Sequence, residues 1–184
     1  MMKKFFIVMF AMMIFTMFEN VSHAATPTYP LANITVYQLF ANMGYNNIDT
    51  SRPGMRTPDG YPIYGTNLPE SPLAQSKEFA NIIAISDKSG SKILGVKLFF
   101  NRTREVDGTV AVISKVIKAL DDNIYQNMSK SWVDAQIAEF LTSTTFDTYD
   151  KNISLKSMDY KYSLSRKYTN GGLILQVTIE AVRK

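Results

Sequence analysis

Apolar positions recur along this chain in two rhythms, and the period of two is the plainer. Ile153 to Tyr168 and Leu173 to Arg183 alternate around Asn170-Gly171, a dipeptide that accepts the positive φ angles of a tight hairpin turn. A two-residue loop sets Leu164 opposite Val177, Tyr162 opposite Ile179 and Tyr160 opposite Ala181. Asp159, Lys161 and Ser163 then share the other face with Val182, Glu180 and Thr178. Lys77 to Ser86 is apolar on both faces, with Phe79, Ile83 and Ile85 on one and Ala80, Ile82 and Ala84 on the other, which predicts a central strand. Asp87-Lys88-Ser89-Gly90 is a turn, after which Lys92 to Asn101 returns with Leu94, Val96, Leu98 and Phe100 on one face. The register of this first hairpin is open by one residue, because a three-residue loop with a bulge competes with a two-residue loop.

The second rhythm is helical. Val36, Tyr37, Phe40 and Met43 form one face behind a cap at Asn33, with a stop near Gly44. Thr109 to Asp122 carries Val110, Ile113, Val116, Ile117 and Leu120 on one face and Lys115, Lys118 and Asp122 on the other. A further helix opens at Ser131-Trp132-Val133-Asp134, a capping-box pattern, and buries Val133, Ile137, Phe140 and Leu141. Trp132 is read there as a core or staple residue. The order of helix, long loop, hairpin, two helices and hairpin predicts the α+β class. The expected form is an antiparallel sheet of about four strands, from two hairpins, covered on one face by about three helices.

Between Tyr45 and Ser76 neither rhythm holds. Pro53, Pro58, Pro62, Pro69 and Pro72 alternate with Gly54, Gly60 and Gly65, and Pro58-Asp59-Gly60 is a turn signal. A connection this long in a compact domain is usually functional or simply mobile. It holds Tyr45, Tyr61 and Tyr64 with Arg52 and Arg56, residue types that concentrate at binding surfaces. These five are the candidate binding residues.

The start of the chain changes the picture. Lys3 and Lys4 precede a fourteen-residue run, Phe5 to Phe18, broken only by Thr16, and Ser22-His23-Ala24 places small residues around a cleavage point. That run is short for a bilayer span, which needs roughly 17–25 residues. The expectation is a secretory signal peptide over residues 1–24, export to the periplasm or outside the cell, and no membrane span after cleavage. Residues 25–184 then form a single domain of 160 residues with an extended lead-in over 25–32, cut from a chain of 184.

Cleavage also takes away His23, the sole histidine, and the chain has no cysteine. Ser-His-Asp and Cys-His catalysis, structural zinc and disulfides are then closed to the mature domain. Lys3, Lys4 and Glu19 leave with the signal, so the net charge falls from +4 to +3. The excess is spread along the chain, which does not argue for nucleic acid.

Little catalytic chemistry remains. Ser89-Gly90-Ser91-Lys92 matches an S-x-x-K pattern, but it overlaps Lys88-Ser89-Gly90 in one turn, whereas penicillin-recognising enzymes need separate elements. It is read as an exposed turn. Asp121-Asp122 and the Asp147, Asp150 pair are the acids open to general acid–base work, and glycoside hydrolysis needs two carboxylates about 5–9 Å apart across a cleft. The stretch from Asp147 to Asn152 lacks the ligand spacing and glycine of a calcium loop. No metal, cofactor or catalytic residue is assigned. The expectation is an exported, non-enzymatic domain that binds a protein or envelope component; the alternative is a carboxylate-dependent hydrolase acting on envelope polysaccharide.

Overall fold

The computed structural model describes residues 30–46, 48–68, 80–101, 106–121, 129–142, 151–153, 161–169 and 174–182. The signal segment, Tyr160, Asp122, Asp147 and Asp150 lie outside them. Among the described residues, three helices and seven strands follow in the order α1 (Val36–Asn42), β1 (Met55–Arg56), β2 (Pro62–Asn67), β3 (Ala80–Ser86), β4 (Ile93–Asn101), α2 (Val106–Leu120), α3 (Lys130–Thr142), β5 (Lys151–Ile153), β6 (Lys161–Thr169) and β7 (Ile174–Val182). The strands form one sheet in the order β1-β2-β3-β4-β7-β6-β5, every neighbouring pair antiparallel. The chain is α+β, with a larger sheet than its two hairpins suggest.

Two of the additional strands come from a stretch without a strand signal, and the third, β5, takes Ile153 from the start of the predicted Ile153–Tyr168 run. β1 and β2 lie inside the 45–76 connection, so its described part is not the structureless loop its composition suggests. Prolines sit at the edges of pairing there: Pro62 opens β2 opposite Arg56, and the rest of β2 pairs with β3 from Ile63–Ile85 to Asn67–Asn81. β5 falls at the opposite edge, pairing Lys151 with Leu164 and Ile153 with Tyr162.

Both hairpins pair their strands, but Ile153 leaves the predicted Ile153–Tyr168 run to pair with Tyr162 from β5. The second hairpin differs from its expected register, and the first, whose register was open, takes a bulge. In the second, Leu164 lies opposite Ile179 and Tyr162 opposite Ala181, a shift of two residues from the expected partners. Thr169 pairs with Ile174, so four residues separate the strands instead of two. A two-residue shift preserves the face of every side chain, so alternation alone could not have detected it. In the first hairpin the register slips between Ile85 and Ser86, which pair with Gly95 and Ile93. That bulge turns Leu94 to the opposite face from Val96, Leu98 and Phe100.

The helices bury one face of this sheet. The main core joins Ala80, Ile82, Ala84, Val96, Leu98, Phe100, Leu164, Val177 and Ile179 to the apolar faces of all three helices. Burying each such aliphatic or aromatic side chain is worth roughly 1.5–3 kcal/mol. α2 packs against both α1 and α3, so it buries Val112 and Ala119 as well as its predicted stripe. Ile63, Ile83, Ile85, Leu94, Phe99 and Ile174 cluster on the sheet's other face, which no residue of the three described helices joins.

Helix boundaries follow local chemistry. Thr35, not Asn33, caps α1: its hydroxyl accepts the Gln38 amide at 3.1 Å, and the Gln38 side chain accepts the Thr35 amide at 2.8 Å. Counted from that cap, Val36, Leu39 and Phe40 face inward and Tyr37 stands 55% exposed. α3 starts one residue before the expected Ser131, with the Ser129 hydroxyl accepting the Trp132 amide at 3.3 Å. Trp132 is consequently 41% exposed instead of buried, while Val133, Ile137 and Phe140 reach the core and Leu141 is half-buried.

Candidate functional site

The five candidate binding residues divide among three places. Tyr45 follows α1, where Gly44 takes φ +83° and donates to Ala41 O at 2.8 Å, while Tyr45 N donates to Phe40 O at 2.8 Å. This is a Schellman ending, whose next residue ordinarily folds back onto the helix. Tyr45 is accordingly 8% exposed and belongs to the main core, with the Lys115 ammonium of α2 4.7 Å from its ring centroid. Tyr64, on the helix-facing side of β2, is half-buried against the same core. Neither tyrosine is presented as a ligand platform.

Of the other three, Arg56 and Tyr61 lie toward the end of the sheet where two turns meet, and Arg52 precedes β1. Thr57 N donates to Tyr61 O at 2.9 Å and Gly60 N to Thr57 O at 2.8 Å, with Gly60 at φ +83°, so Pro58-Asp59-Gly60 makes the turn it predicts. Arg56 is exposed and reaches back along its own hairpin, Nη1 donating to Gly60 O at 2.9 Å. Tyr61 packs against the outer cluster, and Lys88 Nζ stands 5.2 Å from its ring centroid. Arg52 is exposed, and Met55 beside Arg56 is 41% exposed.

Lys88 belongs to a turn that is itself tightly held. The Asp87 carboxylate accepts the Ser91 amide at 2.8 Å and the Lys92 amide at 3.0 Å, and the hydroxyls of Ser89 and Ser91 also donate to it. Burial pushes the Asp87 carboxyl up, but these four donors outweigh it and hold the group below its ordinary value. Ser89 and Lys92 are exposed members of this turn, as the S-x-x-K overlap implies.

Among the remaining candidate acids, Asp121 is half-buried just beyond α2. Asp134 accepts from Ser114 and pairs with Lys130. No group of three or more His, Cys, Asp or Glu side chains among the described residues is placed to hold a metal ion. No helix among them is long and apolar enough to cross a membrane.

Two buried cations escaped the sequence reading. Arg166 on β6 is 1% exposed on the helix-facing side; its position two residues after Leu164 is the signal that places it there. Lys97 on β4 is 5% exposed on the outer side, and it is the single charge in the run Ile93 to Phe100. Burial pushes its ammonium below the ordinary value, Glu180 opposes that shift, and Lys167 adds to it.

Fold and site together define an α+β domain with one antiparallel sheet, a helical layer on one face and a cation-bearing hairpin at one end. Comparison with protein-family models, with curated proteins and with solved structures finds no match to this chain.

Proposed function

We propose that the protein is an exported, non-enzymatic binding domain that engages a protein or envelope component through the β1–β2 hairpin and the adjoining β3–β4 turn. The observation that carries this reading is the Lys88–Tyr61 stack, which ties the hairpin to a turn already held by Asp87. Ordering of this kind before contact lowers the entropy cost of binding. Exposed Arg56 and Met55 share this hairpin, exposed Arg52 precedes it, and Arg, Tyr and Met are the residue types that interfaces favour. The three cations suit a partner rich in carboxylates or other anions. The contact set is therefore Arg52, Arg56, Tyr61 and Lys88; Tyr45 and Tyr64 support the fold behind it.

The test is a pull-down from envelope and culture-supernatant fractions with the wild type and with an Arg56→Ala/Tyr61→Ala/Lys88→Ala variant. Loss of a specific partner from the folded variant is the expected result. Retention of every partner undiminished would remove this surface, and release of new reducing ends from cell-wall polysaccharide by the pure protein would overturn the non-enzymatic reading.

A further inference from the structure

The edge of β2 is open where β1 stops. Leu68 N donates to Ala80 O at 2.9 Å in register with the β2–β3 ladder, and antiparallel bonds fall on alternate residues. Tyr64, Thr66 and Leu68 therefore turn their backbone groups toward β3, while Ile63, Gly65 and Asn67 turn theirs the other way. Met55 meets Ile63 on that side. The same register, continued, sets Pro53 opposite Gly65, where a proline has no N–H to give, and β1 does not extend to it. No described strand pairs with Gly65 or Asn67 from this side, and both residues are exposed.

Nothing along this edge blocks a further strand. Natural edges are commonly guarded by prolines, lysines or bulges. Tyr64 to Leu68 carries no charge and no proline, and its register with β3 is unbroken. A Cβ built on Gly65 meets only Ile82 O and Ile83 Cγ1, each at 3.7 Å, so the outer side is clear there. The segment is also its own complement. Paired antiparallel about Thr66, two copies set Gly65 of one opposite Asn67 of the other, and each N–H meets a C=O. Asn67 O already accepts the Thr66 hydroxyl at 3.1 Å and keeps a second lone pair for this contact. Half-buried Tyr64 then lies opposite Leu68 of the second copy on the helix-facing side.

We propose that a second copy of this chain docks here, β2 to β2 about a two-fold axis at Thr66, so that one sheet runs through both molecules. An axis normal to the sheet puts both helical layers on the same side, and such isologous pairing closes on itself. Because the edge is uncharged, two copies of a chain of net charge +4 meet there without like charges opposed. The dimer uses backbone beyond the Arg56, Tyr61 and Lys88 surface and does not rest on the binding reading.

Sedimentation equilibrium of the purified full chain tests the assignment, with a reversible monomer–dimer equilibrium expected. Gly65→Pro removes one edge donor per copy and spares the ladder to β3, so it should weaken the dimer by about tenfold or more. Thr66→Lys and Thr66→Glu should each leave a monomer. Mixing the two should restore a dimer, because opposite charges then face each other across the axis. A wild type that stays monomeric, as it would if a strand of another protein takes this edge, overturns the proposal. So does a dimer that Gly65→Pro and Thr66→Lys leave unchanged, or a mixture of the folded charge variants that stays monomeric. Should Gly65→Pro fail to fold, the charge-swapped pair decides.

Discussion

Arg166 Nη1, on β6, donates to the carbonyl oxygen of Leu141 at 2.8 Å, in the last turn of α3. Carbonyls in that turn have no partner within the helix and carry the negative end of its dipole, so a guanidinium is well matched to them. The Arg166 Cζ also lies 5.7 Å from the centroid of the Phe140 ring. A strand and a helix are thus joined through one buried side chain. Arg166→Ala should cost about 2–4 kcal/mol, since it opens a cavity and orphans a helix-end carbonyl. Arg166→Lys should recover little, because an ammonium lacks the planar stacking surface. The urea midpoints of the two variants check this; near-wild-type stability of Arg166→Ala would show that the contact is dispensable.

Ser114 and Asp134 join α2 to α3 in a comparable way. The Ser114 hydroxyl, 3% exposed, donates to the Asp134 carboxylate, which Lys130 also pairs from one turn away. Ser114→Ala is expected to destabilise by about 1–2 kcal/mol, because the hydrogen bond is to a charged group. Lys130→Ala should cost less than about 1 kcal/mol, as its side chain is 71% exposed. A double-mutant cycle between Ser114 and Asp134 should return a coupling of about 1 kcal/mol, and additive effects would contradict the link.

The start of α1 separates two neighbouring candidates. Thr35→Ala should cost about 1 kcal/mol by removing the cap that accepts the Gln38 amide. Asn33→Ala, at an exposed position outside the helix, should leave the melting temperature unchanged. The reverse order in thermal melts would restore Asn33 as the cap.

Lys97 predicts a particular pH dependence. Its folded-state pKa lies below the ordinary 10.5, so the unfolded chain holds more protons across the interval between the two values. Its effect on stability therefore improves as pH rises from the lowered value toward 10.5, and below that interval the buried charge is a constant burden. Lys97→Met should be at least as stable as the wild type near neutral pH and should lose that alkaline gain. Urea midpoints measured from neutral to alkaline pH would show parallel curves if Lys97 were solvated.

The five candidate binding residues show how far local pattern reaches. Of the tyrosines and arginines in the long connection, Arg52 and Arg56 are exposed and Tyr61 is half-buried against the outer cluster. Tyr45 is buried, and its fate was written beside it: the residue after a helix-ending glycine folds back onto the last turn. Tyr64 is drawn inward because Pro62–Asn67 became a strand. Trp132 went the other way: it lies inside the helix about 100° around the axis from Val133, off the face that Val133, Ile137 and Phe140 turn inward.

Period sufficed for the α+β class, the strand pairs of both hairpins and most of the inward positions of the described helices, Tyr37 excepted, because each is set by residues a few positions apart. It could not show that β4 would lie beside β7, nor that two weakly patterned stretches would extend the sheet at its edges. Strand pairing is made by backbone hydrogen bonds, which carry no side-chain label, although Ile63 and Tyr64 of β2 also pack against the apolar clusters on the two faces. Burial of Lys97 and Arg166 follows from the same non-local step. A lysine within an apolar strand has no assigned environment until Thr178 and Ile83 arrive on either side, and an arginine beside Leu164 becomes a helix cap only once α3 ends above it.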